Sequence, residues 1–225
     1  MNILLFEIII MKDDKAQQYT FKVVLVGNSG VGKSSIITRY IENKFCANYF
    51  SNVTMGIFYK DITMDNGTVI NLHIWDSSGK ERYRTINKLE YQDSQCVIFV
   101  YDISNLQSFQ SISDFWYKEI IKTVQEDTLL YVVGNKSDLC EEQDVEDTLR
   151  DKFLKEKGLK FKEVSACSGS NIKNLFEEIA ELLQQLQETD NLFLTSKSIN
   201  SSLVLSNDDK FSIRSKKIQK GYCCY

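Results

Sequence analysis

The sequence contains few of the residues that would build a metal centre or a disulfide framework. Its one histidine, His73, lies in a strand-like run, where we expect a half-exposed strand residue. Of the six cysteines, the four in the body of the chain form no Cys-x-x-Cys pair. Those four are Cys46, Cys96, Cys140 and Cys167. Zinc sites and stabilising disulfides are therefore not expected.

The sequence also lacks a long apolar run near its start. Residues 2–11 are apolar but are interrupted by Glu7, and roughly 20 apolar residues are needed to span a bilayer. No basic residues precede this run and no small-residue cleavage site follows it, so it fits a signal peptide poorly. We interpret it as a ragged or misassigned start, with Met11 as the alternative first residue. Residues 1–18 are expected to be a disordered extension.

The charge is small overall but unevenly distributed. A net charge of −4 at pH 7 gives no reason to expect nucleic acid as a partner. Residues 189–225 contain six basic and three acidic residues, a net +3, which leaves −7 on the preceding part. This asymmetry indicates that the tail alone touches an anionic surface.

Short apolar runs alternate with helically periodic stretches, a pattern that predicts a doubly wound α/β domain with a mostly parallel sheet. Six strands are predicted at residues 21–26, 57–64, 69–75, 96–101, 129–133 and 159–164. An Asn-Gly turn at residues 66–67 makes the second and third strands an antiparallel hairpin. The last three runs suit strands that are buried on both faces.

Five helices are predicted to complete the domain, and four of them are recognisable in the apolar pattern. One follows the first strand through about Tyr40, and two more cover residues 109–124 and 144–157. The last has apolar residues on one face from Ile172 to Leu186, and its periodicity stops after Glu188. We therefore predict one domain at residues 19–188 and a flexible tail at residues 189–225. Ligands of such domains lie at the carboxyl ends of the strands.

A phosphate-binding loop is predicted between the first strand and the first helix. Its residues are Gly27, Asn28, Ser29, Gly30, Val31, Gly32, Lys33 and Ser34, and we include Ser35 in the site. Backbone N–H groups and the helix N-terminus would surround the phosphates. Lys33 would bridge the β- and γ-phosphates, and the Ser34 hydroxyl would bind Mg²⁺. The alternative is a Gly-rich turn that is followed by a surface lysine.

A second motif selects the base. Asn135, Lys136 and Asp138 follow a buried run, and a fixed Asp138 carboxylate can accept the two N–H donors on one edge of guanine. Adenine lacks that pair of donors and would leave this carboxylate buried and unpaired. Lys136 would lie along the base plane. Ser165, Ala166 and Cys167 follow the last strand, where a backbone N–H could donate to the guanine O6.

These motifs resemble those of the Ras superfamily, and residues 71–76, 81–86 and 100–104 resemble Rab GTPases. The resemblance implies the P-loop GTPase fold, with GTP or GDP and Mg²⁺ as cofactors. It implies that Asp76 holds Mg²⁺ through water, that Gly79 contacts the γ-phosphate, and that Thr54 closes over the metal. Phe45 matches an aromatic residue that packs near the base.

The resemblance also implies partners. Two switch loops, residues 46–59 and 77–92, would be ordered by the γ-phosphate and bound by effector proteins in that form. Exchange factors and activating proteins would move the chain, as a monomer, between its GDP and GTP forms. A departure lies at Lys80, where the family has a glutamine that orients the attacking water. We therefore expect slow hydrolysis.

The sequence near its end resembles the double-cysteine motif of Rab proteins, with Cys223 and Cys224 as lipidation sites. Basic residues precede the pair at Lys210, Arg214, Lys216, Lys217 and Lys220. Two lipid chains, or one chain with basic charge, hold a protein firmly at a membrane. The resemblance implies a prenyl transferase, a membrane-extraction chaperone and a place on the cytoplasmic face of an endomembrane, cycling with the cytosol.

Three functions stay open from the sequence. The chain could be a cycling Rab-type GTPase that acts in vesicle trafficking, or a GTP-loaded scaffold that barely hydrolyses. It could also be a Ras-like signalling GTPase of another branch. Because of Lys80, the scaffold function remains an alternative. The terminal cysteine pair argues against the third function.

Overall fold

The computed structural model describes residues 17–46, 56–77 and 90–204, with side chains described through residue 189. The chain divides into two units, Met1–Gln185 and Leu186–Tyr225. The sheet and every contact discussed below belong to the first unit. In the second, the described backbone is helical as far as Val204.

A six-stranded sheet forms the centre of the first unit, with the strands in the order β2-β3-β1-β4-β5-β6. Its strands are β1 (Gln18–Val26), β2 (Gly56–Thr63), β3 (Val69–Asp76), β4 (Cys96–Asp102), β5 (Leu129–Asn135) and β6 (Lys160–Glu163). Every neighbouring pair is parallel except β2 and β3. This topology confirms the doubly wound fold with one antiparallel strand.

The β2–β3 hairpin forms because its turn residues accept the required geometry. Gly67 has a φ of 81°, in the left-handed region that glycine tolerates without a steric penalty. Its N–H donates to the Met64 carbonyl at 2.9 Å, and the Asn66 side chain accepts the Thr68 N–H at 3.0 Å. The antiparallel pairing predicted from Asn66-Gly67 is confirmed.

Helices connect the strands. They are α1 (Lys33–Glu42), α2 (Leu106–Ser111), a π-helical turn (Ile112–Trp116), α3 (Tyr117–Ile120), a 3₁₀ helix (Ser137–Glu142), α4 (Asp147–Lys157) and α5 (Ile172–Val204). Instead of one regular helix at residues 109–124, the chain is helical over residues 106–120 with a π turn in the middle. A π turn inserts an extra residue between hydrogen-bonded partners, which apolar periodicity does not reveal.

Two predicted features differ from the structure. The helix expected to lose its pattern after Glu188 continues to Val204; backbone hydrogen bonds can extend a helix without an apolar face. Strand β6 was predicted to be buried on both faces, but its residues are exposed or half-buried. It lies at the edge of the sheet and has only β5 as a neighbour, and Lys160 and Lys162 suit such an edge. The predicted domain boundaries stay predictions.

Each face of the sheet carries its own apolar cluster. On one face, buried residues of β1, β3, β4 and β5 pack against Ile36 and Ile37 of α1 and Phe176 of α5. On the other, β1, β4 and β5 pack against Phe109, Trp116 and their helical neighbours. The two clusters fix the sheet between helical layers. Within the described residues, no helix is both long and apolar enough to cross a membrane.

Candidate nucleotide-binding site

The predicted site residues gather at the carboxyl ends of the parallel strands. β1 leads into the loop of residues 27–32, and β3 and β4 end at Asp76 and Asp102. β5 ends at Asn135, and β6 leads to Ser165. Register pairs join Leu25 with Asp76 and Asp102 with Asn135. Parallel pairing therefore brings together motifs that are far apart in the sequence.

Glycines give the phosphate-binding loop a shape that other residues do not adopt. Gly27, Gly30 and Gly32 have φ values of 146°, 83° and 97°. A Cβ on Gly27 would lie 2.2 Å from the Val100 carbonyl oxygen, and one on Gly32 would lie 2.3 Å from Asn135 Nδ2. A Cβ on Gly30 would meet nothing within 4 Å. The loop is packed on its protein side and open at Gly30, which fits a cradle for a ligand.

Lys33 stands at the first position of α1 with its ammonium inside the loop. The residue is only 3 % exposed, and its Nζ donates to the carbonyls of Gly27 at 2.8 Å and Asn28 at 2.9 Å. Ser34 and Ser35 follow, half-buried, in the first helical turn. A helix N-terminus beside a fixed cation is a favourable environment for phosphate. The donor set therefore fits the predicted phosphates.

The side chain of Asn28 is held by the π-helical turn and its neighbour. Its Nδ2 donates to Ser111 Oγ at 2.9 Å, and its Oδ1 accepts the Trp116 indole N–H at 3.0 Å. Both ends of the amide are thus used. The sequence analysis did not find Ser111 or Trp116, because nothing local connects them with a loop more than eighty residues earlier. Irregular π turns are frequent at functional sites.

Asn135 connects the phosphate-binding loop with the base-binding loops. Its side chain is 1 % exposed, its Nδ2 donates to the Val31 carbonyl at 2.8 Å, and its Oδ1 accepts the Ala166 N–H at 3.1 Å. One buried amide therefore fixes two separate loops to the end of β5. The Ala166 N–H, a candidate donor to guanine O6, is engaged by Asn135 in this structure.

Asp138 is held by the loop that follows β6. The Ser165 hydroxyl donates to Asp138 Oδ1, and the Ser168 N–H donates to Ser165 Oγ at 3.0 Å. Ser137 N–H donates to the Val164 carbonyl at 3.1 Å, which joins the same two loops through the backbone. Asp138 itself is exposed rather than buried. The sequence analysis expected this carboxylate to be buried when unpaired, whereas here it is accessible to a ligand.

A further helix-borne residue that the sequence analysis missed is Arg39 of α1. Its guanidinium donates to the carbonyls of Ala166 at 2.8 Å, Cys167 at 2.6 Å and Asn43 at 3.0 Å. The planar fork of arginine suits several acceptors at fixed positions. Arg39 therefore ties the end of α1 to the loop beside the predicted base.

Tyr101 and an ion pair lie next to the loop that follows β5. Burial raises the pKa of the Tyr101 phenol, so this side chain stays protonated. A Cβ on Gly134 would lie 2.9 Å from Tyr101 Oη, so glycine at this position lets the ring pack under β5. Lys136 pairs with Asp102 at 2.6 Å.

The predicted magnesium site is described in part. Asp76 ends β3 and is buried, and Ser34 lies in the first turn of α1. A carboxylate and a hydroxyl are the hard oxygen donors that Mg²⁺ prefers. Within residues 17–46, 56–77 and 90–204, no group of three His, Cys, Asp or Glu side chains is placed to hold a metal. The predicted set relies on one carboxylate, so this observation does not test it.

Several predicted site residues lie outside the described residues. They are Thr54, Gly79, Lys80, Cys223 and Cys224. Phe45, at the end of the first described segment, is 40 % exposed. An exposed ring at this position is compatible with packing against a ligand.

The sequence is similar to those of known small GTPases. The Ras family matches residues 22–185. Ras-related protein Rab-26 of Rattus norvegicus is 40 % identical over 73 % of this chain and 64 % of its own length. Ras-related protein RABA5a of Arabidopsis thaliana is 36 % identical over 95 % of this chain and 97 % of its own length. Ras-related protein Rab-1 of Theileria parva is 33 % identical, covering 84 % and 86 % respectively.

These similarities agree with the fold and with the paired phosphate- and base-binding loops. The chain belongs to the Ras family, as a small GTPase of the Rab type. Members of this family bind GTP and GDP with Mg²⁺. The resemblance that the sequence motifs indicated is thereby confirmed.

The close contact at Gly27 generates a testable prediction. Because a Cβ there would meet the Val100 carbonyl, we expect Gly27→Ala to lose nucleotide binding and about 3 kcal/mol of stability, the upper range for overpacking. Gly158→Ala is the matched control, since Gly158 also has a positive φ but its Cβ would meet nothing within 4 Å. It should cost about 1 kcal/mol, the strain of a left-handed residue, and retain nucleotide. Chemical denaturation and GDP titration measure both, and equal losses would contradict the packing explanation.

Proposed function

We propose that this Rab-type GTPase is a guanine-nucleotide switch that recruits effector proteins to a membrane in vesicle trafficking. The observation that carries the proposal is the connection between the two loop systems through Asn135, which contacts Val31 on one side and Ala166 on the other. A ligand that spans both loops needs a base and a phosphate chain. GTP and GDP have both.

The described residues supply the binding chemistry. Lys33 places a buried positive charge beside the loop, where it would offset phosphate charge and stabilise the charge that develops on the γ-phosphate. Ser34 and Asp76, together with Thr54 outside the described residues, would hold Mg²⁺, which would help to offset the phosphate charge. The glycines allow the backbone to approach the ligand closely.

Base selection follows from Asp138. We expect Asp138→Ala to weaken GDP binding a hundredfold or more, about 3 kcal/mol, because guanine's two donors lose a charged acceptor. Glu141→Ala, which removes another carboxylate of the same 3₁₀ helix, should change affinity less than twofold. Competition titrations with GDP and ATP measure both variants. If ATP and GTP displaced GDP from the wild-type chain equally well, the guanine assignment would be contradicted.

Hydrolysis is proposed to be slow because of Lys80. A glutamine amide both donates and accepts and can orient the attacking water, whereas an ammonium only donates. The water would then lack its acceptor, and the protein would be biased toward the GTP form. A second candidate function, a GTP-loaded scaffold that barely hydrolyses, is favoured by the same residue. The measured hydrolysis rate separates the two.

Lys80→Gln should raise single-turnover GTP hydrolysis about tenfold or more, the scale of gaining one transition-state contact. Lys155→Gln, on the exposed face of α4, controls for the loss of one positive charge and should leave the rate unchanged. Phosphate release from preloaded protein is the measurement. A Lys80→Gln variant that is no faster than the wild type would show that Lys80 does not limit the reaction.

Membrane attachment is proposed to depend on lipids at Cys223 and Cys224 and on the basic residues before them. A prenyl transferase would attach the lipids, and a chaperone would extract the GDP form into the cytosol. Each cation near an anionic leaflet adds about 1 kcal/mol, whereas two chains anchor firmly. The proposed location is the cytoplasmic face of an endomembrane.

Changing both cysteines to serine should leave the protein in the cytosolic fraction with unchanged nucleotide affinity. Replacing Lys216, Lys217 and Lys220 by glutamine is the comparison, and it should weaken membrane recovery less, with the larger loss on vesicles rich in phosphatidylserine. Fractionation and vesicle sedimentation of lipidated protein measure the two effects. Unchanged recovery of the double-serine variant would rule out the lipid anchor.

A further inference from the structure

Lys136 has an unusual backbone conformation at the centre of the base-binding motif. Its φ and ψ are 66° and 37°, the left-handed region, which is uncommon for a residue with a side chain. Strain of this kind persists only where surrounding contacts hold the residue. The Leu139 N–H donates to the Lys136 carbonyl at 2.8 Å, and the 3₁₀ helix begins at the next residue. The backbone therefore aims the Lys136 side chain in a fixed direction.

The side chain is fixed at its other end by Asp102. The Lys136 ammonium lies 2.6 Å from Asp102 Oδ2, and the two side chains are 35 % and 11 % exposed. Ion pairs on an open surface contribute little, because water and salt screen them. The Asp102 carboxylate is largely shielded from water, so this pair is screened less than a surface pair.

Asp102 is itself oriented before it meets the lysine. Its Oδ1 accepts the Ser104 N–H at 3.0 Å and the Ser104 hydroxyl at 2.7 Å, which leaves Oδ2 for Lys136. Its backbone N–H contacts Ser108 Oγ at 3.0 Å, and the residue pairs with Asn135 across β4 and β5. The carboxylate is thus fixed one strand away from the first residue of the guanine motif.

We propose that Asp102 is a positioning residue of the nucleotide site, which acts through Lys136 and slows the release of guanine nucleotide. A lysine side chain has a flexible four-carbon stem and a strongly hydrated head. With its head held by Asp102, the stem stays extended along the position predicted for the base plane and does not turn into solvent. The inference rests on the proposed guanine-nucleotide function of the same site.

A double-mutant cycle on release of fluorescent GDP tests this inference. The full chain is loaded with the labelled nucleotide and chased with unlabelled GDP in the presence of Mg²⁺. Asp102→Asn keeps the shape of the side chain, and Lys136→Met keeps the stem but removes the charge. Each variant alone should release GDP about tenfold faster, which corresponds to about 1.4 kcal/mol. In the Lys136→Met background, Asp102→Asn should accelerate release less than twofold or slow it.

Additive acceleration would show that Asp102 has a structural role independent of Lys136 and would overturn the inference. Slower release from Asp102→Asn alone would also overturn it, because the ion pair would then compete with the nucleotide. Asp144→Asn is the matched control: its carboxylate accepts the Leu106 N–H at 2.9 Å on the neighbouring loop. Asp144→Asn should change the rate of GDP release less than twofold. If it accelerated release as much as Asp102→Asn does, the effect would come from removing any negative charge near these loops, and the inference would be overturned.

Thermal unfolding of the GDP-bound proteins shows whether Asp102→Asn is folded. If it is not, Asp102→Ser replaces it in a second double-mutant cycle. Non-additivity with Lys136→Met in this cycle supports the inference, and additivity overturns it. The wild-type chain must first take up GDP. If it does not, the proposed guanine-nucleotide function is wrong and the inference fails with it. If it does bind GDP but the two substitutions act additively, only the inference about Asp102 fails.

Discussion

The site depends on the buried amide of Asn135. A buried amide that lost one partner would cost about 1–3 kcal/mol, so its bonds to Val31 and Ala166 hold strongly. The same side chain fills the space that a Cβ on Gly32 would need. The loop glycine and the amide therefore constrain each other. The loops predicted to bind phosphate and base are joined because one side chain is shared between them.

The contacts around the phosphate- and base-binding loops come from helices and strands of the fold. Arg39 extends from α1, Trp116 from the π-helical turn, and Asp102 from the end of β4. Glycine lowers the steric cost of the loop conformation but raises the entropy lost in fixing it. Side chains anchored on helices and strands offset that loss. The loops are thus held in shape by side chains from neighbouring helices and strands.

Much of the fold follows from local patterns in the sequence. The hairpin was predictable because Asn66-Gly67 specifies its own turn, and the phosphate-binding loop because its glycines and Lys33 are contiguous. The π-helical turn and the edge position of β6 were not, since both depend on packing with distant elements. Ser111, Trp116 and Arg39 were not predicted either, because their contacts are with loops that are distant in the sequence. Arg39 contacts carbonyls of Ala166 and Cys167, more than a hundred residues away, and a carbonyl acceptor carries no signature in the sequence.

The hydrogen bond between Trp116 and Asn28 also places an indole ring at the edge of the phosphate-binding loop. The chain has two tryptophans, Trp75 and Trp116. The ring of Trp75 lies under Lys22, whose Nζ is 4.3 Å from the ring centroid, on strands outside the phosphate-binding loop. Trp116 is one hydrogen bond from the loop backbone that carries the Lys33 contacts. Indole emission responds to the polarity and hydrogen bonding of its surroundings, so a change in the hydrogen bond to Asn28 would alter the emission of Trp116.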